Sequence, residues 1–449
     1  MLDALLATGL LPSKTAVVLL AVAIVASLDL MGRAKRRSGH YVFGVLFGTA
    51  LSVGIMEFLE VLFNRAMTDS PAMMGLGVLL VVVAWRFLFG PWEAHVKATV
   101  LGTFLFWIAF QTLFRETPQE RAAHVIALLI AAIPAAVWCA LFLPYHRERR
   151  SVVLLMFFSG MASTAPILFY DALVKRKVEL QFFVFRLVPE SFNANIQATV
   201  RDMGLPSLKA TLIALFVSFV MVGILEEGSK YWVLRKNGGS FFSSIDDAMQ
   251  FAILVAIGFA FAENVTRTGY FFNFVKEFLL SPGKPDWPGF LGNIAGRSIL
   301  TSMVHIVSTG ILGYFVGLAI FADPRLREAE RRGKTFVVGG VLRRLLGARP
   351  TSVYRTQMVA TGFLLAILLH ALSNFLVTLP DVLPGNPHTF GELLGAPAGS
   401  FTHYVALLLP PALLYVVGGF WLLTMLFSRK ENMKERGRVI STEVFVMGE

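Results

Sequence analysis

The chain has 449 residues, of which 56% are hydrophobic and only 15% are charged, and its mean hydropathy is +0.67. Because a soluble globular chain is typically about 25% charged, this composition excludes a water-soluble globular protein, a disordered chain and a disulfide scaffold. The net charge of +11 is compatible with either nucleic acid or anionic lipid as a partner. The single cysteine, Cys139, excludes a disulfide within one chain and a paired-cysteine metal site. The class that remains is a polytopic helical membrane protein.

Eleven apolar runs are long enough to cross a bilayer, whose hydrocarbon core of about 30 Å requires about 20 residues of helix. The first run lacks a basic region before it and is followed directly by GRAKRR, so we expect it to remain as a span and not to be a cleaved signal peptide. The predicted fold is therefore all-α, a transmembrane helix bundle of about eleven spans. The runs lie near residues 15–31, 41–63, 73–92, 98–114, 123–143, 152–174, 211–234, 247–266, 297–321, 357–379 and 402–427.

The distribution of lysine and arginine predicts the orientation. These residues are concentrated in the loops after the odd-numbered spans and in the C-terminal tail. Since basic loops stay on the cytoplasmic side, we expect the N-terminus outside and the C-terminus in the cytoplasm. The sixth span fits least well, because it contains Pro166 and Asp171 and precedes three basic residues on the supposed outer side. If it did not cross, the basic loops on either side of it would lie on opposite faces, so we retain it.

The chain divides into three regions by the position of its polar residues. Residues 1–210 hold the first six spans, for which the sequence suggests no function. Residues 211–380 hold spans 7 to 10, which we predict to be the functional core. Residues 381–449 hold the final span and a basic cytoplasmic tail.

Two long connections have distinctive sequences. Leu180–Val188 is largely apolar, and we predict that it lies in the membrane interface. The cytoplasmic loop 322–356 is rich in arginine, and within it Val341–Arg349 offers one apolar and one basic face. We expect anionic lipid to be the partner of the basic loops. We expect no nucleic-acid partner, because the positive-inside bias already accounts for the charge.

Ionisable side chains at bilayer depth are concentrated in spans 7 to 10. Insertion costs about 2.5 to 3.5 kcal/mol for Arg, Lys or Asp at a helix centre, so each such residue needs a structural or functional reason. Carboxylates and imidazoles gathered at one helix interface can activate a water and protonate a leaving group. The same groups can also bind zinc. The residues are Glu226, Glu227 and Lys230 in span 7, Glu263 and Asn264 in span 8, Arg297 and His305 in span 9, and His370 and Asn374 in span 10.

Helical spacing predicts some of the contacts among these residues. Glu226 and Lys230 are four residues apart and can pair on one face. Glu227 lies about 100° further around the helix, so it needs a partner on a different helix. His370 and Asn374 are also four residues apart, so the asparagine amide can fix one imidazole tautomer or help to hold an oxyanion.

Each of these residues also has a purely structural interpretation. Glu226 with Lys230 can be an ion pair that only stabilises the bundle, and a single histidine in an apolar helix is more often a hydrogen-bonded core residue. Asp246 and Asp247 are most simply explained as caps at the start of span 8. The joint occurrence of polar residues in four successive spans favours function over these alternatives.

The ordered motifs EEGSK, a pair of aspartates, GFAFAEN, an arginine with a histidine eight residues later, and HALSN cover about residues 221–379. This pattern resembles the PrsW-type intramembrane proteases, which are related to the CAAX prenyl endopeptidases and to bacteriocin-processing membrane peptidases. The resemblance implies a multi-pass peptidase of the bacterial cytoplasmic (inner) membrane. It also implies a membrane-anchored protein substrate, such as an anti-sigma factor.

The resemblance assigns roles to individual residues. Glu226 and Glu227 match the double-glutamate motif, Glu263 the second motif, His305 the third, and His370 with Asn374 the fourth. We predict that Glu226 or Glu227 is the general base and that the two histidines stabilise the oxyanion or protonate the leaving amine, while Glu263 positions the water or a histidine. A metal-free site and a zinc site are both open. The supporting residues are Lys230, Asn264, Arg297 and Asn374, and the candidate metal ligands are Glu227, Glu263, His305 and His370.

The depth of these residues is a difficulty for the prediction. At about 1.5 Å per residue counted from Thr211, Glu226 lies roughly 22 Å below the outer surface, whereas the residues of spans 8 to 10 lie at about 8 to 14 Å. Untilted helices would not bring them together. If span 7 protrudes and ends near Leu234, Glu226 rises to mid-membrane, so we expect the site in the outer half or middle of the membrane.

Two other classes of protein fit the same residues less well. A proton-coupled transporter also needs buried carboxylates and histidines, but the sequence has no repeat that relates its two halves. A non-catalytic membrane scaffold can use polar residues to hold helices together. It does not require so many ionisable groups on adjacent spans.

Overall fold

The computed structural model describes residues 44–53, 55, 92–115, 117–146, 148–175, 180–182, 185–187, 207–266, 270–280, 283–331, 333 and 349–435. The predicted first span and almost all of the third lie outside these residues. So do most of Val341–Arg349 and the end of the basic tail.

The described chain is a bundle of helices with one short hairpin. The first helices are α1 (Gly44–Val53), α2 (Ala94–Arg115), α3 (Pro118–Phe142), α4 (Arg150–Ala162) and α5 (Ala165–Lys175). The hairpin β1 (Leu180–Phe182) and β2 (Phe185–Leu187) is followed by α6 (Ser207–Gly238), α7 (Ile245–Thr266), α8 (Phe271–Leu280) and α9 (Trp287–Gly296). The π-helical turn Arg297–Thr301 leads into α10 (Ser302–Ile320), α11 (Ala322–Arg331) and α12 (Pro350–Val382). The last helices are α13 (Phe390–Leu394), α14 (Leu409–Ala412) and α15 (Gly419–Glu435).

Seven of the described helical segments are long and apolar enough to cross a membrane, and they coincide with predicted spans 5 to 11. The fourth predicted span lies within α2, whose apolar part, Ala94–Phe110, is shorter. The chain is thus a multi-pass integral membrane protein. The total of eleven spans and the orientation of the termini stay predictions.

Two predicted segments have a more detailed structure than the sequence suggested. The sixth span is two helices, because α4 ends at Ala162 and α5 starts at Ala165, directly before Pro166. Proline has no backbone N–H to donate, so it is tolerated in the first turn of a helix. The predicted interfacial segment contains an antiparallel hairpin in which Leu180 pairs with Leu187.

Side-chain burial separates lipid-facing surfaces from the interior. On α3, Leu129 and Ile133 are exposed, whereas Ala127 and Ala131 on the opposite face are buried. This pattern is expected of a helix with one face in lipid. By contrast, α7 is buried on all sides along almost its whole length, from Asp247 to Asn264, so α7 lies in the interior of the bundle. It packs against α3, α4, α6 and α10.

Two glycines allow α4 and α7 to approach closely. A Cβ atom added to Gly160 would lie 2.0 Å from the Val255 carbonyl oxygen, and one added to Gly258 would lie 2.0 Å from the Phe157 oxygen. Small residues of this kind let helix backbones pack closely in membranes, where no hydrophobic effect drives helices together. This contact fixes the position of α7 along the axis of α4.

We expect the Gly258→Ala variant to lower the free energy of unfolding by about 1–3 kcal/mol, because the two backbones must separate. Gly292→Ala in α9 is the matched control, since a Cβ there meets nothing within 4 Å. It should gain up to about 1 kcal/mol from helix propensity. Unfolding of the detergent-solubilised protein measures both, and equal stability of the two variants would contradict the close packing of α4 on α7.

The start of α7 is capped as the sequence predicts. Asp247 Oδ2 accepts hydrogen bonds from the Ser243 N–H at 2.6 Å, the Ser243 hydroxyl at 2.6 Å and the Ser244 N–H at 2.7 Å. The Ser244 hydroxyl in turn accepts a hydrogen bond from the Asp247 N–H. The predicted capping role is thereby confirmed for Asp247, the third residue of the helix, which acts together with Ser244 in the N-cap position, whereas for Asp246 it stays a prediction.

Candidate active site

Four helices bring the predicted polar residues to one place inside the bundle. Glu226, Glu227 and Lys230 come from α6, and Glu263 and Asn264 from the end of α7. His305 lies in the first turn of α10 and His370 in the middle of α12. None of these seven residues is more than 3% exposed.

The lengths of the helices explain how residues at different predicted depths meet. α6 has 32 residues and starts at Ser207, four residues before the predicted start of its span, and α12 has 33 residues. At about 1.5 Å per residue, each is roughly 48 Å long, well beyond the hydrocarbon core of about 30 Å. Both helices must therefore protrude or tilt, so counting residues from one membrane surface misplaces Glu226.

Glu227 is the centre of the hydrogen-bonded cluster. Its Oε1 atom accepts a hydrogen bond from Lys230 Nζ at 2.6 Å and lies 2.9 Å from His370 Nδ1. Its Oε2 atom accepts a hydrogen bond from the Thr309 hydroxyl at 2.9 Å. The prediction that Glu227 needs partners on other helices is confirmed.

The predicted pairing of Lys230 with Glu226 is wrong. Lys230 pairs with Glu227, three residues before it. Residues at both spacings lie on the same helix face, so the choice between them depends on what faces the lysine from other helices. Lys230 Nζ also lies 3.0 Å from His305 Nδ1 and 4.1 Å from the centre of the Phe259 ring.

The partners of each histidine indicate its tautomer. A carboxylate only accepts, so His370 carries its proton on Nδ1 and donates it to Glu227. Its Nε2 atom lies 3.4 Å from Glu226 Oε2. An ammonium group only donates, so His305 Nδ1 accepts from Lys230. His305 Nε2 then carries the proton and donates it to Glu263 Oε2 at 3.1 Å.

Arg297 holds the end of α7. Its Nε atom donates to Asn264 Oδ1 at 2.7 Å, and its Nη2 atom donates to Glu263 Oε2 at 3.3 Å. The guanidinium also stacks on the Tyr270 ring. Arg297 starts a π-helical turn, and such turns are frequent at functional sites. Arg297 and Asn264 therefore orient the Glu263 carboxylate.

Asn374 does not hold His370. It is half-buried on α12, and the two ring nitrogens of His370 face Glu227 and Glu226 instead. The structure thus contradicts the expectation that the asparagine fixes the tautomer, because a carboxylate takes that position. The other predicted role of Asn374, helping to hold an oxyanion of the substrate, stays a prediction.

Sequence reasoning missed two residues of the cluster. Thr309 lies one helical turn after His305 on the same face, and this spacing was the available signal. Phe259 lies one turn before Glu263 and contacts both Lys230 and His305, with its ring centre 5.0 Å from that of His305. An aromatic residue in an apolar span carries no signal of this kind.

Glu226, His305 and His370 each place one possible ligand atom within 4.8 Å of the other two. Two imidazoles and a carboxylate form a typical set of ligands for catalytic zinc. Tetrahedral ligands at about 2.0–2.2 Å from zinc lie about 3.3–3.6 Å apart, and the His370 Nε2 to Glu226 Oε2 distance of 3.4 Å falls in this range. The residues present therefore fit a metal ion.

This set differs from the predicted one, in which Glu227 and Glu263 were ligands. Here Glu227 contacts His370 Nδ1, the ring nitrogen opposite the one that faces Glu226, and Glu263 contacts His305 Nε2. A carboxylate in the position of Glu227 orients a metal-binding histidine in many proteins. His305 uses both ring nitrogens in hydrogen bonds, so binding a metal requires it to give up one of them.

Comparison with models of protein families gives a match. The family model described as PrsW family intramembrane metalloprotease matches residues 148–398, more than half of the chain. This range contains every residue of the cluster. No curated protein and no solved structure matches the chain.

Proposed function

The chain belongs to the PrsW family of intramembrane metalloproteases, and from this premise we propose that the cluster between α6, α7, α10 and α12 is its active site. The protein is a membrane-embedded protease that acts on membrane proteins. We propose that it hydrolyses a peptide bond of a membrane-anchored protein at this cluster. The observation that carries the proposal is the approach of Glu226, His305 and His370 to within 4.8 Å inside the bundle.

The metal of the family would be held by Glu226, His305 and His370, where it would polarise the scissile carbonyl and lower the pKa of a bound water. Zinc is the metal that the ligand set suits best. Glu227 keeps the proton of His370 on Nδ1, which leaves Nε2 directed toward Glu226.

Glu263 is the best candidate for the general base. Glu227 already accepts from Lys230, His370 and Thr309, so it has little capacity to take a proton from water. Glu263 Oε2 lies beside His305 Nε2 and is oriented by Arg297. We propose that Glu263 accepts a proton from the attacking water as the oxygen bonds to the carbonyl carbon, and then donates it to the leaving amine as the C–N bond breaks.

Lys230 and Thr309 are positioning residues. Both donate to Glu227, and Lys230 also donates to His305 Nδ1. Together they hold the Glu227 carboxylate, which orients His370, and Lys230 also holds the ring of His305. Preorganised hydrogen bonds of this kind cost no reorganisation during the reaction.

The substrate and the lipid partner remain proposals. A membrane-anchored anti-sigma factor is the substrate that the family resemblance suggests. Anionic lipid at the arginine-rich loop 322–356 is supported by the exposed basic residues of α11. Neither suggestion bears on how the peptide bond is cleaved.

Reconstitution into proteoliposomes with a membrane-tethered reporter peptide tests the function. We expect new peptide ends from the wild-type protein, loss of cleavage after metal chelation, and recovery when zinc is added. His388→Ala is the matched control for loss of an imidazole, because His388 is exposed and lies beyond the C-terminal end of α12. A substrate-dependent pH change without cleavage would refute the peptidase assignment and favour a proton-coupled transporter.

A further inference from the structure

A second cluster of histidine and carboxylates lies at the other end of α7. Asp247 belongs to the first turn of α7, and His146 and Glu148 belong to the connection between α3 and α4. Asp247 and Glu263 are 16 residues apart on one helix, which corresponds to about 24 Å. The second cluster is therefore separate from the proposed active site.

The three side chains bring their possible ligand atoms close together. His146 Nε2 contacts Asp247 Oδ1 and lies 3.5 Å from Glu148 Oε1. One ligand atom from each residue lies within 4.8 Å of the others. The His146 side chain is 32% exposed, that of Glu148 is 15% exposed and that of Asp247 is 1% exposed, so the cluster is partly open to water and ions.

Asp247 is held rigidly in this cluster. The three hydrogen bonds from Ser243 and Ser244 all go to its Oδ2 atom. The other oxygen, Oδ1, is thereby directed at His146 and remains available as a ligand atom. A ligand whose orientation is fixed by surrounding hydrogen bonds binds a metal with little loss of conformational freedom.

Among the residues that the structure describes, no lysine or arginine forms an ion pair with Glu148 or Asp247. One imidazole nitrogen faces two carboxylates, and a single N–H cannot donate well to both. Even a protonated ring leaves a net charge of −1 in a half-buried place. Arg149 and Arg150 are exposed, and within the described chain neither forms an ion pair with Glu148 or Asp247. A divalent cation with a neutral imidazole would bring the net charge to zero.

We propose that His146, Glu148 and Asp247 bind a divalent transition-metal ion such as zinc, at a site distinct from the active site. One nitrogen and two oxygen ligands, with water completing the shell, suit zinc. The ion ties the α3–α4 connection to the start of α7.

The consequence of such a site is structural. α4 follows directly after Glu148 and packs across α7 at Gly160 and Gly258. The ion would therefore fix α7 from its first turn, and Glu263 lies near the last turn of the same helix. The proposal does not depend on the function assigned to the other cluster.

Zinc binding to the full-length protein in detergent tests this proposal. The background is the His305→Ala/His370→Ala double variant, which removes two of the three ligands at the proposed active site. In equilibrium dialysis against zinc chloride, we expect this background to bind one zinc per chain. Adding His146→Ala should abolish that binding, and adding Glu148→Gln should weaken it at least 10-fold. Adding His388→Ala, at an exposed histidine, should leave it unchanged.

A second measurement covers the case in which His146→Ala does not fold. Glu148→Gln keeps the cap at Asp247 intact, and zinc should raise the thermal midpoint of the background but not that of the variant with Glu148→Gln. The proposal is overturned if the background binds no zinc, or if both substitutions leave binding unchanged. The cluster would then be an ion pair only.

Discussion

The Glu263→Gln variant is expected to cleave a tethered substrate about 10²- to 10⁴-fold more slowly than the wild-type protein, with an unchanged metal content. This factor is typical for loss of a general acid or base. The amide keeps the shape of the carboxylate and can still accept from Arg297, so the fold should be retained. It cannot take the proton of the attacking water. Single-turnover cleavage and elemental analysis of the purified variant measure the two quantities.

Glu226→Gln provides the contrast to this result. As a proposed ligand, Glu226 should affect both activity and metal content when it is replaced. Glu277→Gln, at an exposed glutamate of α8, is the control for a neutral change of the same kind and should behave like the wild-type protein. If Glu263→Gln cleaves at the wild-type rate while Glu226→Gln keeps its metal, the assigned roles of the two carboxylates are wrong.

Lys230→Met should produce the largest loss of stability, about 3–5 kcal/mol in the free energy of unfolding. Removal of one partner from a buried ion pair leaves the other charge without compensation. Lys230 and Glu227 are both 0% exposed, so water cannot solvate the carboxylate that remains. Methionine has a similar length and fills the same space. Denaturant unfolding in detergent measures the change.

The double variant Glu227→Gln/Lys230→Met separates stability from activity. It removes both charges, so it should recover most of the stability lost in Lys230→Met. It should stay inactive, because a neutral amide orients His370 less firmly and His305 has lost the donor at Nδ1. A Lys230→Met variant as stable as the wild-type protein would show that the ion pair is not formed.

Much of the site could be predicted from the sequence because the cost of ionisable groups in a bilayer is independent of the fold. That cost singled out Glu226, Glu227, Glu263, His305 and His370 among 449 residues. It also placed them on neighbouring helices of one bundle. The structure brings all five together, and their catalytic roles are the part that the proposed variants test.

The choice of partners could not be predicted in the same way. Residues three and four positions apart share a helix face, so spacing alone left Lys230 free to pair with either glutamate. Thr309 carried no charge that would single it out, and it nonetheless donates to Glu227. The contact of His146 with Asp247 joins residues about a hundred positions apart, which spacing within one helix cannot reveal.

The sequence was sufficient to predict a multi-pass membrane protein and to predict which residues and which helices form the candidate site, because hydrophobicity and the cost of buried charge act locally along the chain. The tertiary structure alone decided which carboxylate Lys230 meets, which groups orient each histidine, and where a second cluster forms. These outcomes depend on the relative levels and rotations of whole helices. Close backbone contacts such as those at Gly160 and Gly258 fix these positions. Such contacts join residues that are far apart in the sequence, so local sequence patterns do not reveal them.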